Sequence, residues 1–194
     1  MKIKFCGITN SEDLQLAEAC GADFLGLIIV DSSPRKVTLD QARDLAHQAQ
    51  FAKTVLVCDY DDSAQIRAAY DFVQPDFIQL HNSGQLLPDL NFPTIQAFRG
   101  LPSEETLHKA LQHNDYILLD KAPGADTSDF QKLLQLPADL LARTFIAGGI
   151  TTDHLSLFAN NSHIFALDIA RGSESSPGRK DPELIQQIAN ALKP

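Results

Sequence analysis

Cys6 closes an opening apolar run, Met1-Lys2-Ile3-Lys4-Phe5-Cys6, and Gly7-Ile8-Thr9-Asn10 follows at once. A thiol at the carboxyl end of a strand, where the chain turns into a helix, can serve as a base. In a barrel of parallel strands that rim is where catalytic groups sit. Alone, a free cysteine is as readily a small buried hydrophobe. Groups of similar promise recur further on. Asp120 and Asp168 each end a β-rich run, where a carboxyl can move a proton or merely cap a helix. Arg35, on the rigid turn Ser33-Pro34, can meet an anion or stand as a solvated charge. Gly148-Gly149 and Gly172-Ser173 follow two late strands, where backbone N–H groups can approach a phosphate closely. His81, after Ile78-Gln79-Leu80, lines the same rim, whereas Cys20 and Cys58 read as packing residues. Their alignment along one rim argues for chemistry more strongly than any one of them.

Positioning those groups requires strands that all run the same way. Short runs rich in β-formers fall at 2–6, 24–29, 54–58, 77–80, 94–98, 116–120, 144–147 and 164–168. Most are almost continuously apolar, as expected of strands buried on both faces. Amphipathic segments alternate with them and carry legible starts. Thr38 with Gln41 is a capping box, Asp62 with Gln65 a looser one, and Asp181-Pro182 pairs an N-cap with a proline at the first helical position. Ser103 and Thr151 are further caps, and Gly21 is placed to end the first helix. The segment 83–90 contains Gly84 and Pro88 and predicts a short or irregular element. Eight β/α units fit a closed barrel or an open doubly wound sheet. No G-x-G-x-x-G turn follows the first strand, which favours the barrel. The expectation is α/β: a single-domain (β/α)8 TIM barrel over residues 1–194, trimmed relative to the roughly 250 residues typical of the fold.

Composition narrows the function. The 194 residues are 44% hydrophobic and 21% charged with a net charge of −9, an ordinary balance for a compact chain. That charge and the lack of basic runs argue against nucleic acid. The apolar runs are too short to span a bilayer, so no membrane role is expected. Three scattered cysteines and the lack of a signal-peptide pattern predict a reducing, cytoplasmic setting without disulfides or a metal knuckle. Met1 opens the first strand and Pro194 follows the last helix, which predicts a chain unfused to a neighbour. Whether it is a monomer or a homodimer is open at this level.

Several blocks together resemble the N-(5′-phosphoribosyl)anthranilate isomerase family of tryptophan biosynthesis. They are Lys4-Phe5-Cys6-Gly7-Ile8-Thr9-Asn10, Gly21-Ala22-Asp23 with Gly26, Ser33-Pro34-Arg35, Ile78-Gln79-Leu80-His81, Leu118-Leu119-Asp120, Gly148-Gly149-Ile150, Leu167-Asp168, and Gly172 through Asp181. They run in the family's order along nearly the whole chain. The resemblance implies an Amadori rearrangement of a phosphorylated aminofuranose, with no metal and no organic cofactor. It implies Asp120 as general acid, Cys6 as general base, and Arg35 on the substrate carboxylate. Gly148, Gly149, Gly172 and Ser173 would lie at the phosphate, with Asp168 and His81 near the ribose and the rim. The alternative is a non-catalytic barrel that keeps a phosphoribosyl-ligand pocket. Two departures stand out. The loop 121–130 has fewer glycines than the family's and no tryptophan, and Ala170-Arg171 stands where two small hydroxyl residues are common.

Overall fold

The computed structural model describes residues 1–82, 90–121, 127–159 and 161–192. Eight parallel strands close into a barrel in chain order. They are β1 (Lys2–Cys6), β2 (Phe24–Ile28), β3 (Lys53–Cys58), β4 (Phe77–Leu80), β5 (Thr94–Arg99), β6 (Tyr116–Asp120), β7 (Thr144–Ala147) and β8 (Ala166–Ile169). β1 pairs with both β2 and β8, which closes the ring. The eight predicted strands are therefore present, with ends that differ by a residue or two. The largest difference is at β8, where Ile164 and Phe165 precede the ladder.

Helices α1 (Ser11–Ala19), α2 (Leu39–Gln48), α3 (Ser63–Val73), α4 (Glu104–Ala110), α5 (Thr127–Leu133), α6 (Ala138–Leu141), α7 (Leu155–Ala159) and α8 (Pro182–Leu192) follow the strands. Their starts use the predicted side chains. Thr38 and Gln41 form a reciprocal capping box, while Asp62 accepts from the N–H groups of Ala64 and Gln65. Ser103 accepts from Thr106 N–H, and Asp181 from Glu183 and Leu184. Thr151 heads a short 3₁₀ turn rather than an α-helix. The segment 83–90 falls almost wholly outside the described residues, as does 122–126 of the loop after β6. One element had no sequence forecast: a small hairpin of β9 (Glu174–Ser176) and β10 (Arg179–Lys180) just beyond β8.

Strand side chains alternate between two cores. Ile3, Phe5, Leu25, Leu27, Leu56, Cys58, Ile117 and Leu119 face outward and pack beneath the helices in one buried cluster. Cys6, Phe24, Val55, Val57, Leu118, Phe145 and Ala147 belong to a second cluster inside the barrel. The amino-terminal end of that interior is plugged by rings: Phe24 meets Phe145 edge-on at 5.1 Å, and Tyr116 stacks on Phe165 at 4.3 Å. Period-two alternation from that floor upward then decides which residues reach the other end of the interior. On β1 these are Lys4 and Cys6, on β6 Leu118 and Asp120, and on β8 Ala166 and Asp168.

Candidate active site

A cavity of about 230 Å³ opens at the carboxyl ends of the strands, and Cys6, Arg35, His81, Asp120, Gly148, Gly149, Asp168 and Arg171 are among its walls. The alternation that buries Leu118 inside the barrel puts Asp120 one step above it, at the rim. Of the nine residues singled out from the sequence, seven line this cavity. Gly172 and Ser173 do not.

Cys6 is nearly sealed, at 6% exposure. Its place depends on Gly26, its register partner on β2: a Cβ at Gly26 would stand 2.6 Å from the Cys6 sulfur. Burial pushes the thiol above its ordinary value, while the charge of the Lys4 ammonium pulls the other way. Burial and the neighbouring Asp168 also raise the Asp120 carboxyl, against Arg99 and Arg171. A carboxyl held in this way keeps its proton more readily than one in water, as a general acid must. For His81, burial takes the ring down to about 4, so it is neutral in use. The Gln79 amide nitrogen lies 2.7 Å from its Nε2, while Gln79 Oε1 is buried with no partner among the described residues.

Arg35 reaches the cavity already held by one carboxylate. Its Nε donates to Glu174 at 2.8 Å and its Nη2 at 2.6 Å, which leaves Nη1 for a ligand. This pairing keeps the guanidinium oriented and Glu174 ionised, in spite of the burial that opposes it. The second support is Lys180. Its buried ammonium donates to the Cys6 carbonyl at 2.7 Å, to Ser173 Oγ at 3.0 Å and to Glu174 at 3.2 Å. The Lys180 N–H donates to Asp13 at 3.0 Å, and Thr9 Oγ1 donates to the Gly178 carbonyl at 2.6 Å. The hairpin thus clamps the turn after β1 and carries the counter-ion of Arg35.

Ser173, expected at the phosphate, lies off the cavity wall. It is fully buried, its hydroxyl donates to the Ala170 carbonyl at 2.8 Å, and its N–H bonds the same carbonyl at 3.1 Å. A hydroxyl engaged on both sides braces the turn after β8 and is not offered to a phosphate. Gly172 is half-buried and approaches the turn after β7 closely, since a Cβ there would stand 1.9 Å from the Ile150 carbonyl oxygen. The rim positions left near the expected phosphate site are Gly148 and Gly149, both at positive φ (107° and 70°), with Ala170 and Arg171 beside them. The N–H groups of the two glycines have no protein acceptor among the described residues.

Sequence reasoning missed Lys4, Gln79, Glu174 and Lys180. Lys4 carried a usable signal: a lysine alternating with Cys6, between Ile3 and Phe5, must share the cysteine's face. Glu174 and Lys180 carried little, because the short hairpin that brings them back has only a Pro-Gly turn to announce it.

A family model of N-(5′phosphoribosyl)anthranilate (PRA) isomerase matches residues 3–191. An N-(5′-phosphoribosyl)anthranilate isomerase of Rhodopseudomonas palustris is 32% identical, with 98% of this chain and 95% of that protein covered. The crystal structure of phosphoribosyl anthranilate isomerase from Thermotoga maritima superposes with a TM-score of 0.85 at 25% identity, covering 100% of this chain and 98% of that one. A crystal structure of phosphoribosyl anthranilate isomerase in complex with reduced 1-(o-carboxyphenylamino)-1-deoxyribulose 5-phosphate gives a TM-score of 0.81 at 25% identity, with 100% and 98% covered. With the barrel and its rim as described, these likenesses establish that the chain belongs to the N-(5′-phosphoribosyl)anthranilate isomerase family.

Proposed function

We propose that this chain converts N-(5-phosphoribosyl)anthranilate to 1-(2-carboxyphenylamino)-1-deoxyribulose 5-phosphate, with Asp120 as acid and Cys6 as base. Asp120 protonates the ring oxygen, the C1–O bond breaks, and the anilino nitrogen takes up the resulting electron demand as a Schiff base. The Cys6 thiolate then removes the proton from C2, and the C–H electrons move onto nitrogen to give an enolamine. Tautomerisation yields the ketose, and solvent exchange returns the proton to Asp120 and takes one from Cys6. The substrate's own amine is the electron sink, so the scheme uses no cofactor or metal. The observation that carries the reading is the pair itself: a shielded thiol on β1 and a carboxyl with a raised pKa on β6, facing one cavity.

Binding roles follow from charge. Arg35, held in place by Glu174, meets the anthranilate carboxylate through its remaining nitrogen. The phosphate sits against the Gly148-Gly149 backbone, with Arg171 supplying positive charge. An acidic chain can thus accept a trianionic substrate, because the cations are concentrated at the rim. Asp168, moored to Lys4 at 2.9 Å, and neutral His81 face the ribose hydroxyls. The setting is a cytoplasmic biosynthetic enzyme. Decay of anthranilate fluorescence, with substrate generated in situ, tests the whole: turnover supports the isomerase, and binding of a reduced product analogue without turnover would leave a retired ligand-binding barrel.

A further inference from the structure

The mechanism asks a thiol that burial holds in its neutral form to act as a thiolate. Something in the barrel must favour the anion. Lys4 stands in the right place. It shares the inner face of β1 with Cys6, two residues nearer the barrel floor, and is completely buried. Its ammonium lies 2.9 Å from Asp168 Oδ1, and Lys4 and Asp168 are register partners across β1 and β8. The tether runs between two adjacent strands of a closed sheet, so the charge cannot swing away.

We propose that Lys4 is a positioning residue for catalysis: its Asp168-moored ammonium sits under the Cys6 sulfur and stabilises the thiolate that removes the C2 proton. This rests on the assignment of Cys6 as base. A buried lysine in a barrel could instead be a nucleophile, but that needs a neutral amine. Burial does pull the Lys4 ammonium down, yet Asp168 and the Cys6 thiol outweigh it and hold the group charged.

The other charged groups around the sulfur do not duplicate this. Asp168, from β8, works against the thiolate, so Lys4 also neutralises an anion that would otherwise repel it. Lys180, from the hairpin, favours the thiolate but directs its hydrogen bonds to the Cys6 carbonyl, Ser173 and Glu174. Arg35 is turned toward Glu174. Asp120, His81 and Arg171 stand along the other walls of the cavity, with Arg99 and Asp59 near His81. Of these groups the Lys4 ammonium, on the same inner face of β1, favours the thiolate most strongly.

The test reads the thiol directly. In a Cys20→Ser background, the pH dependence of Cys6 alkylation by iodoacetamide is compared for the parent, Lys4→Met and Lys4→Arg. Cys58 stays silent because it is buried outside the barrel and burial holds its thiol up at about 12. An opposite charge within a few ångströms moves a titration by about 1–3 pH units. Lys4→Met should therefore slow alkylation at least ~10-fold near pH 8, with the loss recovered as pH rises. kcat/KM should fall in parallel while KM changes little, and Lys4→Arg should retain most of both. Lys4→Met strands the Asp168 carboxylate, so Lys4→Met/Asp168→Asn is compared with Asp168→Asn alone should the single variant not fold. An alkylation profile unmoved by Lys4→Met, or one that is the same in Asp168→Asn with and without Lys4→Met, overturns the inference, even where Cys6→Ser has abolished turnover. Conversely, a shifted profile beside a fully active Cys6→Ser upholds Lys4's hold on the thiol and sinks the assignment of the base.

Discussion

Gly26→Ala is the smallest change that should disable this site without touching a charged group. The missing Cβ at Gly26 would stand 2.6 Å from the Cys6 sulfur and 3.0 Å from the Cys6 Cα. Non-bonded carbon atoms settle at about 3.5–4.0 Å, and sulfur is no smaller. The sulfur must therefore retreat by about 1 Å, and β1 must ease away from β2, since backbone is crowded as well as side chain. A misplacement of about 1 Å at a reacting group can cost ~10²-fold in rate. Overpacking in a closed interior costs a further ~1–3 kcal/mol of stability. The expected result is a folded protein, somewhat less stable, whose kcat/KM in the fluorescence assay is down about 100-fold. Most of that loss should fall in kcat, because Arg35 and the glycine rim that hold the substrate are not displaced. A Gly26→Ala variant with near-parental kcat would refute the claim that the sulfur's position is what the reaction depends on.

Arg171 lines the cavity beside Gly148 and Gly149. Arg171→Ala should raise KM by roughly 10-fold, at the lower end of what a hydrogen bond to a charged group is worth, and leave kcat within a few-fold. An unchanged KM would show that the backbone alone serves the phosphate. At the opposite rim, Asp76 accepts from the Thr54 N–H at 2.8 Å and from its hydroxyl at 3.1 Å. Asp76→Ala leaves that buried N–H unpaired and should cost about 1–3 kcal/mol in urea denaturation, with no change in turnover. A comparable loss of kcat would mean that the two rims are coupled.

The fold was legible because the signals were local. Eight apolar runs of strand length, five of them followed by a chemically marked helix start, leave few architectures, and Cys6, Asp120 and Asp168 fell at strand ends without any tertiary information. What was hidden depended on which face of each strand turns inward. Runs apolar on both faces do not declare it, so Lys4 passed as one polar residue in a strand although its spacing from Cys6 fixed their shared face. Glu174 and Lys180 lay deeper still, since they reach the site through a two-stranded hairpin too short to carry a pattern. Ser173, placed near a phosphate by its position after β8, has its hydroxyl held by the Lys180 ammonium and the Ala170 carbonyl, partners that position along the chain does not reveal.

The central claim is that one thiol and one carboxyl divide the proton transfers between them, and single-turnover fluorescence on Cys6→Ser and Asp120→Asn tests it most directly. Each variant should bind a reduced product analogue within a few-fold of the parent, while each loses about 10²- to 10⁴-fold in the chemical step. Retention of the parental rate by either variant would contradict the division of labour between Cys6 and Asp120.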